Sequence, residues 1–197
     1  MARDDPRDDQ ALVEAANRGE ADAFEALYYR YRDWVARLAR RFTGNDADAL
    51  DVLQETFAYL LGKFPGFRLT ARMTTFLYPA VKHLALVARS KGRYRPDPSD
   101  PSDQSDRSPL RHAAALDQIP APPAADPASS RSELAAVMAA LPEAHREVVL
   151  MRFVDDLSLA EIAQALAIPL GTVKSRLHNA LETLRHDERT RRYFDER

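Results

Sequence analysis

The sequence predicts an all-α protein made of two helical units separated by a polar segment. Apolar residues recur at steps of three and four in both halves of the chain, and neither half shows the alternation typical of a β-strand. Eight of the 13 prolines fall between Tyr94 and Ser132, together with repeated Asp and Ser. Such a segment cannot bury itself, and its prolines interrupt helical hydrogen bonding, so we interpret residues 94–129 as a Pro/Asp/Ser-rich linker.

The first unit, residues 8–93, is predicted to be a bundle of about four helices. Its apolar periods lie at 12–17, 22–42, 50–61 and 76–85. Core packing is the simplest explanation of most of these positions, including Leu50 and Leu61 in the third period. Gly44 stands just beyond the second period, where glycine commonly ends a helix. Pro79 lies inside the fourth period and has no amide hydrogen to donate, so we expect that helix to kink or to start late.

The second unit, residues 130–186, is predicted to hold four shorter helices. Their apolar residues place them at 134–141, 143–153, 158–166 and 172–185. Residues 130–133 and 158–161 both have the Ser-x-x-Glu spacing of a capping box. The last two helices are joined by a tight turn at 168–171, which is the layout of a helix-turn-helix. The remaining tail, residues 187–197, either extends the last helix or docks elsewhere.

The polar residues of the last helix are arranged as recognition by a helix-turn-helix requires. The second helix of that motif buries one apolar stripe and presents its first side chains to base edges in the major groove. Outside the apolar stripe lie Lys174, Ser175, His178 and Asn179. Thr172 and the first free amides stand at the positive end of the helix, which suits a phosphate. A solvated polar face on a helical hairpin would give the same pattern, so this segment alone leaves both interpretations open.

The charge balance argues against tight DNA binding by either unit alone. The chain has a formal net charge of −2, with 15 basic against 13 acidic residues in 1–93 and 9 against 11 in 133–197. Autonomous DNA-binding proteins are usually basic, because released counterions supply much of their affinity. Either the protein does not bind DNA, or a partner supplies most of the electrostatic attraction.

A local cluster of cations and aromatic rings lies in and beside the fourth apolar period. The cations are Arg68, Arg72, Lys82, Arg89, Lys91, Arg93 and Arg95, and the rings are Phe64, Phe67, Phe76 and Tyr78, with hydroxyls at Thr70, Thr74 and Thr75. Rings interleaved with arginine and hydroxyl groups form a platform on which unpaired bases stack. Core packing explains Phe64 and Phe76 better, whereas Phe67 follows Gly66 in a loop and is predicted to be exposed.

Several classes of function are disfavoured by what the sequence lacks. The absence of cysteine excludes a disulfide scaffold, a thiolate zinc site and a cysteine nucleophile. The five histidines show no metal-ligand spacing with a carboxylate, and the glycines form no phosphate-binding loop. No apolar run approaches 18 residues, and the acidic start of the chain is unlike a secretory signal. We therefore expect a cytoplasmic protein without cofactor, metal, membrane insertion or catalytic activity.

Two stretches of the sequence resemble the motifs of a known family. The first is Asp51-Val-Leu-Gln-Glu-Thr-Phe57, followed by Phe67 and by Thr75-Phe-Leu-Tyr78, and the second runs from Leu141-Pro-Glu to Gly171-Thr-Val-Lys-Ser-Arg-Leu177. With both motifs in this order, the chain resembles an extracytoplasmic-function (group IV) sigma factor of bacterial RNA polymerase. The resemblance covers residues 8–93 and 130–186, and it implies a region-two helical bundle and a region-four helix-turn-helix domain.

The resemblance implies a role for each group of polar residues, with core RNA polymerase and promoter DNA as partners. Asp51, Gln54 and Glu55 match the acidic helix that docks on the clamp helices of the largest polymerase subunit. The residues that match the part that melts and reads the minus-ten element are Phe67, Arg68, Arg72, Thr74, Thr75, Tyr78, Lys82 and His83. Those that match the readers of the minus-thirty-five element are Lys174, Ser175, His178 and Asn179, with Thr172 and Arg176 on the DNA backbone. An anti-sigma factor is a further partner common in the family.

Four positions depart from the usual pattern of that family. They are Phe76 in place of Trp, Pro79 in place of a basic residue, His83 in place of Asn and Val87 in place of Asp. His83 changes a donor near the flipped base, and Pro79 changes the path of the helix that carries it. The resemblance therefore does not fix the minus-ten preference.

Two other functions fit parts of the sequence. A regulator whose helix-turn-helix resembles response-regulator output domains would also carry Thr-Val-Lys at the turn, but usually with His where this chain has Arg176. Such a regulator would bind DNA without polymerase. A helical adaptor that does not bind DNA would tolerate alanine at Lys174 and Arg68.

The linker length limits how the two units reach a promoter. As a flexible coil the linker spans about 35 Å, whereas elements roughly 20 to 25 base pairs apart are separated by about 70 to 85 Å. The linker bridges the two elements only when it is held open. We therefore expect the free protein to be compact or loosely coupled, with the polymerase threading the linker.

Overall fold

The computed structural model describes residues 5–93 and 130–190, in which it places eight α-helices and no strand. The helices are α1 (Asp9–Asn17), α2 (Ala21–Thr43), α3 (Asp46–Leu61), α4 (Met73–Arg93), α5 (Ser130–Ala140), α6 (Glu143–Phe153), α7 (Leu159–Leu166) and α8 (Leu170–His186). Helices α1 to α4 form an N-terminal bundle and α5 to α8 a C-terminal domain, which confirms the predicted all-α class. The predicted linker, 94–129, and the side chains of the capping box at 130–133 lie outside the described residues.

Local sequence signals set several helix ends as predicted. Gly44 follows α2 in the left-handed conformation, with a φ of 81°, and its amide donates to the Arg40 carbonyl at 2.9 Å. The capping box of α7 forms, because the Ser158 amide donates to Glu161 Oε2 at 2.7 Å and the Glu161 amide donates to Ser158 Oγ at 3.3 Å. Each of these bonds satisfies a backbone group at the helix end that has no partner within the helix. Because the bonding residues are close in the chain, the local sequence predicts where these helices end.

Helix α4 starts earlier than its proline suggested. It runs continuously from Met73 through Pro79, so of the two expected outcomes, a kink or a late start, the late start was wrong. Pro79 is exposed, and its ring removes only the hydrogen bond to the Thr75 carbonyl four residues back. Met73 and Leu77 are both fully buried. Tertiary packing therefore holds the turns before the proline in helical form, against the local preference.

The tail folds back on the helix that precedes it. Helix α8 stops at His186. Thr190 is fully buried, and its hydroxyl donates to the Leu184 carbonyl. The described start of the tail, residues 187–190, therefore docks against α8 and does not extend it.

One apolar core fills the N-terminal bundle and continues into the C-terminal domain. Its fully buried members in the bundle include Leu12, Leu27, Leu38, Leu60, Leu77 and Val81. The same cluster includes Val148, Met151, Leu157, Ile162 and Val173 of the C-terminal domain. A smaller cluster of Val137, Leu141, Val149, Ala180 and Leu184 joins α5, α6 and α8. Because α7 also packs against α4, the described parts of the chain form one compact body.

Leu60 and Leu61 provide a matched test of this core, since they are neighbours on α3 in opposite environments. Leu60 is fully buried and Leu61 is 54% exposed. We expect Leu60→Ala to lower the free energy of unfolding by about 2 to 5 kcal/mol, because it leaves a cavity. Leu61→Ala should change it by less than about 0.5 kcal/mol. Urea denaturation followed by circular dichroism measures both, and equal losses would contradict the burial assigned to α3.

Candidate functional site

The outward face of α8 carries the polar residues that the sequence assigned to DNA. Those fully on the surface are Lys174, Ser175, His178 and Asn179, while Thr172 and Arg176 are half-buried. Val173 is completely buried beneath them and fixes the orientation of the helix. Lys174 and Arg176 pair with no carboxylate among the described residues. This face therefore presents cationic and amide groups that are available to a ligand.

The turn of the helix-turn-helix sets where α8 begins. Ala167 ends α7 in the left-handed conformation, with a φ of 52°. Pro169 then precedes the first helical residue, Leu170, and its carbonyl accepts the Thr172 amide at 2.9 Å. The helix thus starts two residues earlier than predicted, because a proline fits the start of a helix without losing a hydrogen bond. Thr172 lies inside the first turn, and the amides of Leu170 and Gly171 stand closer to the helix end.

The acidic face of α3 is exposed and is flanked by apolar side chains. Asp51, Gln54 and Glu55 are all on the surface, as the sequence predicted. Leu50 and Leu61 are 56% and 54% exposed, so the expectation that they belong to the core was wrong. The core contacts of α3 are filled by Val52, Leu53, Phe57 and Leu60, which leaves these two leucines and Tyr59 outside. Large apolar side chains beside carboxylates are typical of a surface that binds another protein.

The loop that precedes α4, residues 62–72, buries the ring of Phe67. Phe67 is only 9% exposed, so the prediction that it is exposed was wrong. Its ring contacts those of Phe64 and Phe76, with centroids 5.5 and 4.7 Å apart. The next residue, Arg68, is exposed. In this conformation Arg68, and not the neighbouring ring, is accessible to a base.

Asn17, at the end of α1, holds this loop in place, a role that no pattern in the sequence predicted. Its Oδ1 accepts the amides of Gly66 and Phe67 at 2.6 and 3.0 Å, and its Nδ2 donates to the Phe67 carbonyl at 2.8 Å. Gly66 has a φ of 102°, which glycine adopts at no steric cost. No local signal identifies Asn17, because asparagine at a helix end is common as a capping residue.

The C-terminal domain contacts two of the α4 residues that the sequence assigned to DNA, Tyr78 and Lys82. Tyr78 is fully buried, Thr75 is 3% exposed and His83 is half-buried. The Tyr78 hydroxyl and the Lys82 ammonium both donate to Glu147 Oε1, at 2.9 and 2.7 Å. Burial, and then the charge of Glu147, hold the pKa of the Tyr78 phenol well above its usual range, so the hydroxyl keeps the proton that it donates.

Two further ion pairs join the domains. Arg41 of α2 pairs with Asp155 at 2.7 Å, and Arg72 pairs with Glu161 at 3.5 Å. The Asp155 side chain is only 5% exposed. Arg41 and Asp155 are 114 residues apart in the sequence, which explains why no local pattern indicates their role.

A cavity of about 220 Å³ lies where the loop, α4 and α7 meet. Its lining includes Arg68, Thr70, Thr75, Phe76, Pro79 and Gln164. The Thr75 hydroxyl is buried there without a hydrogen-bond partner in the described part of the chain. Thr74, beside it, is half-buried. The structure thus brings five of the predicted minus-ten residues to the domain boundary, whereas those of α8 and α3 form two separate surfaces. The five are Arg68, Arg72, Thr75, Tyr78 and Lys82.

Residues 5–93 and 130–190 contain no group of His, Asp and Glu side chains that could hold a metal ion. Over the same residues, no helix is both long and apolar enough to cross a membrane.

Replacement of Asn17 tests its hold on the loop. Asn17→Ala removes the Oδ1 that accepts both amides. At about 0.5 to 1.5 kcal/mol for each bond, we expect the Gly66 and Phe67 amides to exchange roughly 2- to 13-fold faster. Asn17→Asp keeps an Oδ1 acceptor and loses only the donor, so it should retain most of the protection. Hydrogen exchange followed by NMR measures both variants. Unchanged protection in Asn17→Ala would mean that the aromatic packing alone fixes the loop.

Two family matches divide the chain as its fold does. Sigma-70 region 2 matches residues 27–95, and Sigma-70, region 4 matches residues 137–186. The first match begins within α2, so it leaves α1 and Asn17 outside. The second contains the whole helix-turn-helix.

Full-length relatives agree with these matches. The chain is 27% identical over 175 residues to the ECF RNA polymerase sigma factor SigW of Bacillus subtilis (strain 168), covering 88% of this chain and 92% of SigW. It is 32% identical over 183 residues to the ECF RNA polymerase sigma-E factor of Escherichia coli (strain K12), covering 89% of this chain and 92% of that protein.

Two solved structures share the fold. CnrH, in complex with the cytosolic domain of CnrY, superposes with a TM-score of 0.58 at 20% identity and covers 96% of this chain and 99% of its own. The sigma factor RpoE of Bartonella quintana, in complex with the anti-sigma factor NepR, gives 0.54 at 17% identity, with 82% and 94% covered. One chain therefore combines a region-2 bundle with a region-4 helix-turn-helix. It is also 32% identical to a sigma-E factor over nearly the whole of both proteins, and these findings together agree with only one family. The chain belongs to the extracytoplasmic-function sigma factors, which direct promoter-specific initiation by bacterial RNA polymerase.

Proposed function

We propose that this sigma factor divides promoter recognition between its domains and docks on polymerase through α3. The outward face of α8 reads the minus-thirty-five element. The loop before α4 and the first half of α4 open and read the minus-ten element. The acidic face of α3 binds the clamp helices of the largest polymerase subunit. The observation that supports this division most strongly is the exposed polar face at the start of α8, because that part of a helix-turn-helix enters the major groove.

The residues of α8 suit both contacts with base edges and contacts with backbone phosphates. Lys174 can donate to the guanine acceptors O6 and N7, and Asn179 can pair with adenine. Ser175 and His178 add further donors and acceptors on the same exposed face. Arg176 is half-buried beside them, in a position that suits a phosphate contact.

Strand opening is the energetic problem that the N-terminal domain solves. Unstacking costs about 1.4 kcal/mol for each base step. Without nucleotide hydrolysis, the protein recovers that energy by capturing unpaired bases, and stacking on an aromatic ring supplies about 1 to 3 kcal/mol for each base. The rings of Phe67 and Tyr78 and the guanidinium of Arg68 are the candidates for this capture. Both rings are buried in the free chain, so they act only after a rearrangement.

The polymerase supplies most of the attraction for DNA. The chain has a net charge of −2, and the acidic face of α3 is exposed together with Leu50 and Leu61 of the same helix. Carboxylates give specificity for a basic partner, and the two leucines give contact area. This arrangement explains how a nearly neutral protein selects promoters, since the sigma factor contributes sequence specificity and the polymerase contributes binding energy.

Catalysis, location and a further partner complete the proposed function. The protein catalyses no reaction of its own and acts in the cytoplasm, where it meets the polymerase. An anti-sigma factor is a further partner, by analogy with the complex of RpoE and NepR. An autonomous regulator is not favoured, because the Sigma-70 region 2 match covers the N-terminal bundle from within α2 to the end of α4.

Run-off transcription with purified core polymerase on a genomic fragment library tests the function directly. New start sites that depend on the chain are expected. Within that assay, Lys174→Ala should weaken promoter binding by about 1 to 3 kcal/mol through the upstream element and leave core binding intact. Arg185→Ala is the matched control, because it removes the same charge from the same helix 11 residues further along, where Arg185 pairs with Glu182. Equal effects of the two variants would contradict the assignment of α8.

Variants of the proposed docking surface on α3 should have the opposite effect, a loss of core binding without a change in promoter preference. Gln54→Ala combined with Glu55→Ala should lower core affinity at least tenfold, because both lie on the proposed contact face, and should leave the sequence preference unchanged. Glu25→Ala, which removes an exposed carboxylate from α2, is the control. Fluorescence anisotropy of labelled protein titrated with core polymerase measures the affinities. If Lys174→Ala lost core affinity to the same degree, the proposed division of labour would be wrong.

A further inference from the structure

We propose that Asn17 is a positioning residue for recognition of the minus-ten element. It holds the main chain of the loop before α4, and it thereby sets the point from which Arg68 and the ring of Phe67 reach an unpaired strand. The proposal rests on the proposed function, since it takes this loop as the part that captures bases. Asn17 acts through the loop and needs no contact with DNA.

The side-chain amide of Asn17 bonds the main chain on both sides of the Phe67 Cα. Its Oδ1 accepts the Phe67 amide at 3.0 Å, and its Nδ2 donates to the Phe67 carbonyl at 2.8 Å. The same Oδ1 accepts the Gly66 amide at 2.6 Å. These three bonds, the Asn17 clamp, hold only backbone atoms. The Phe67 ring can therefore turn about its own side-chain torsion angles while the backbone keeps its place.

Asn17 stands on a rigid support. It is the last residue of α1, whose Leu12 and Val13 are buried in the core of the bundle. The end of α1 is closed by the backbone, because the amides of Arg18 and Gly19 donate to carbonyls of the same helix. The side chain of Asn17 is thus available to amides that lie 49 and 50 residues away in the sequence.

The place of Arg68 depends on the clamp. Its side chain is exposed and forms no ion pair within the described part of the chain. The residues on either side of it are anchored, since Asn17 bonds the Phe67 main chain and Leu69 packs against the core. The backbone on both sides therefore defines where the Arg68 guanidinium leaves the surface.

Preorganisation of the loop links the clamp to DNA binding. Fixing the backbone of one residue disfavours an ordered state by roughly 5- to 30-fold in an equilibrium constant. Because the clamp already orders the loop in the free chain, the capture of an unpaired base does not bear that cost. A loop with several conformations would also present Arg68 and Phe67 to different bases, so the clamp contributes to sequence preference as well as to affinity.

Binding of the holoenzyme to separate parts of a promoter tests the proposal. The probes are a single-stranded minus-ten oligonucleotide and a duplex minus-thirty-five fragment, both taken from start sites that run-off transcription maps. Asn17→Ala should weaken binding of the oligonucleotide by about 5- to 30-fold, and should change binding of the duplex and of core polymerase by less than about twofold. In a promoter library randomised at the minus-ten element, the variant should accept a broader set of sequences.

Gly66→Ala disturbs the same loop from the other side of the contact. Gly66 has a φ of 102°, and an added Cβ would meet no atom within 4 Å, so the substitution strains only the backbone. It should reproduce the weaker oligonucleotide binding and the broader preference of Asn17→Ala. Asn17→Ala combined with Gly66→Ala should lose little more than either change alone, because both release one loop, whereas independent effects would multiply.

Gly44→Ala is the matched control for backbone strain. Gly44 also has a positive φ, 81°, and open space around the added Cβ, but it ends α2 and lies outside the loop. Its thermal midpoint should fall about as far as that of Gly66→Ala, while its minus-ten binding and preference should match the wild type. This comparison separates a loss of stability from a loss of positioning.

The outcomes distinguish this proposal from the function on which it rests. If Asn17→Ala bound the oligonucleotide as the wild type does, or lost core and duplex binding to the same degree, the positioning role would be overturned and the sigma function would stand. A thermal midpoint lowered without any change in minus-ten preference would also overturn it. A wild-type chain that started no transcripts with core polymerase would overturn both.

Discussion

Helix α4 must satisfy two partners at once, and the rest of the molecule is arranged around that constraint. It packs against α2 and α3 within the bundle and against α7 of the C-terminal domain. Its buried positions include Met73, Thr75, Leu77, Tyr78, Val81 and Ala85. At about 100° for each residue these positions span roughly 200° of the helix circumference, about twice the stripe that packing on one side needs. The N-terminal bundle alone does not account for such a wide buried surface, so the second domain is part of how α4 is buried.

The contact between the domains combines apolar burial with charges that are individually weak. A surface ion pair contributes about 0.2 to 1 kcal/mol, and a nearly buried carboxylate such as that of Asp155 also has a desolvation cost. The apolar residues of the shared core supply the larger favourable term. The charges favour the observed face of the C-terminal domain, because it places Asp155 opposite Arg41 and Glu147 opposite Lys82. Such an interface is specific without being strong.

The three proposed functional surfaces differ in how exposed they are in the free chain. The polar face of α8 and the acidic face of α3 are exposed, and both lie on helices whose opposite sides are buried. The proposed minus-ten surface is instead built from a loop tied by Asn17 and from a helix whose Tyr78 and Lys82 contact the C-terminal domain. Rigid helices suit surfaces that bind intact partners, whereas strand capture requires groups that become accessible only when strands separate. The difference in exposure follows the difference in task.

The sequence by itself determined the helices, most of their ends, the helix-turn-helix and the outward residues of α8 and α3. These features depend on periodicity and on capping contacts between residues three or four positions apart, as at Gly44 and in the Ser158–Glu161 box. Tertiary structure decided that Phe67 is buried, that Leu50 and Leu61 are exposed, and that α4 continues through Pro79. It also created the Asn17 clamp and the Arg41–Asp155 pair, whose partners lie 50 and 114 residues apart. Local sequence patterns do not indicate such distant partners. Periodicity shows that a residue is apolar or polar, but it does not show which distant residue will pack against it or pair with it.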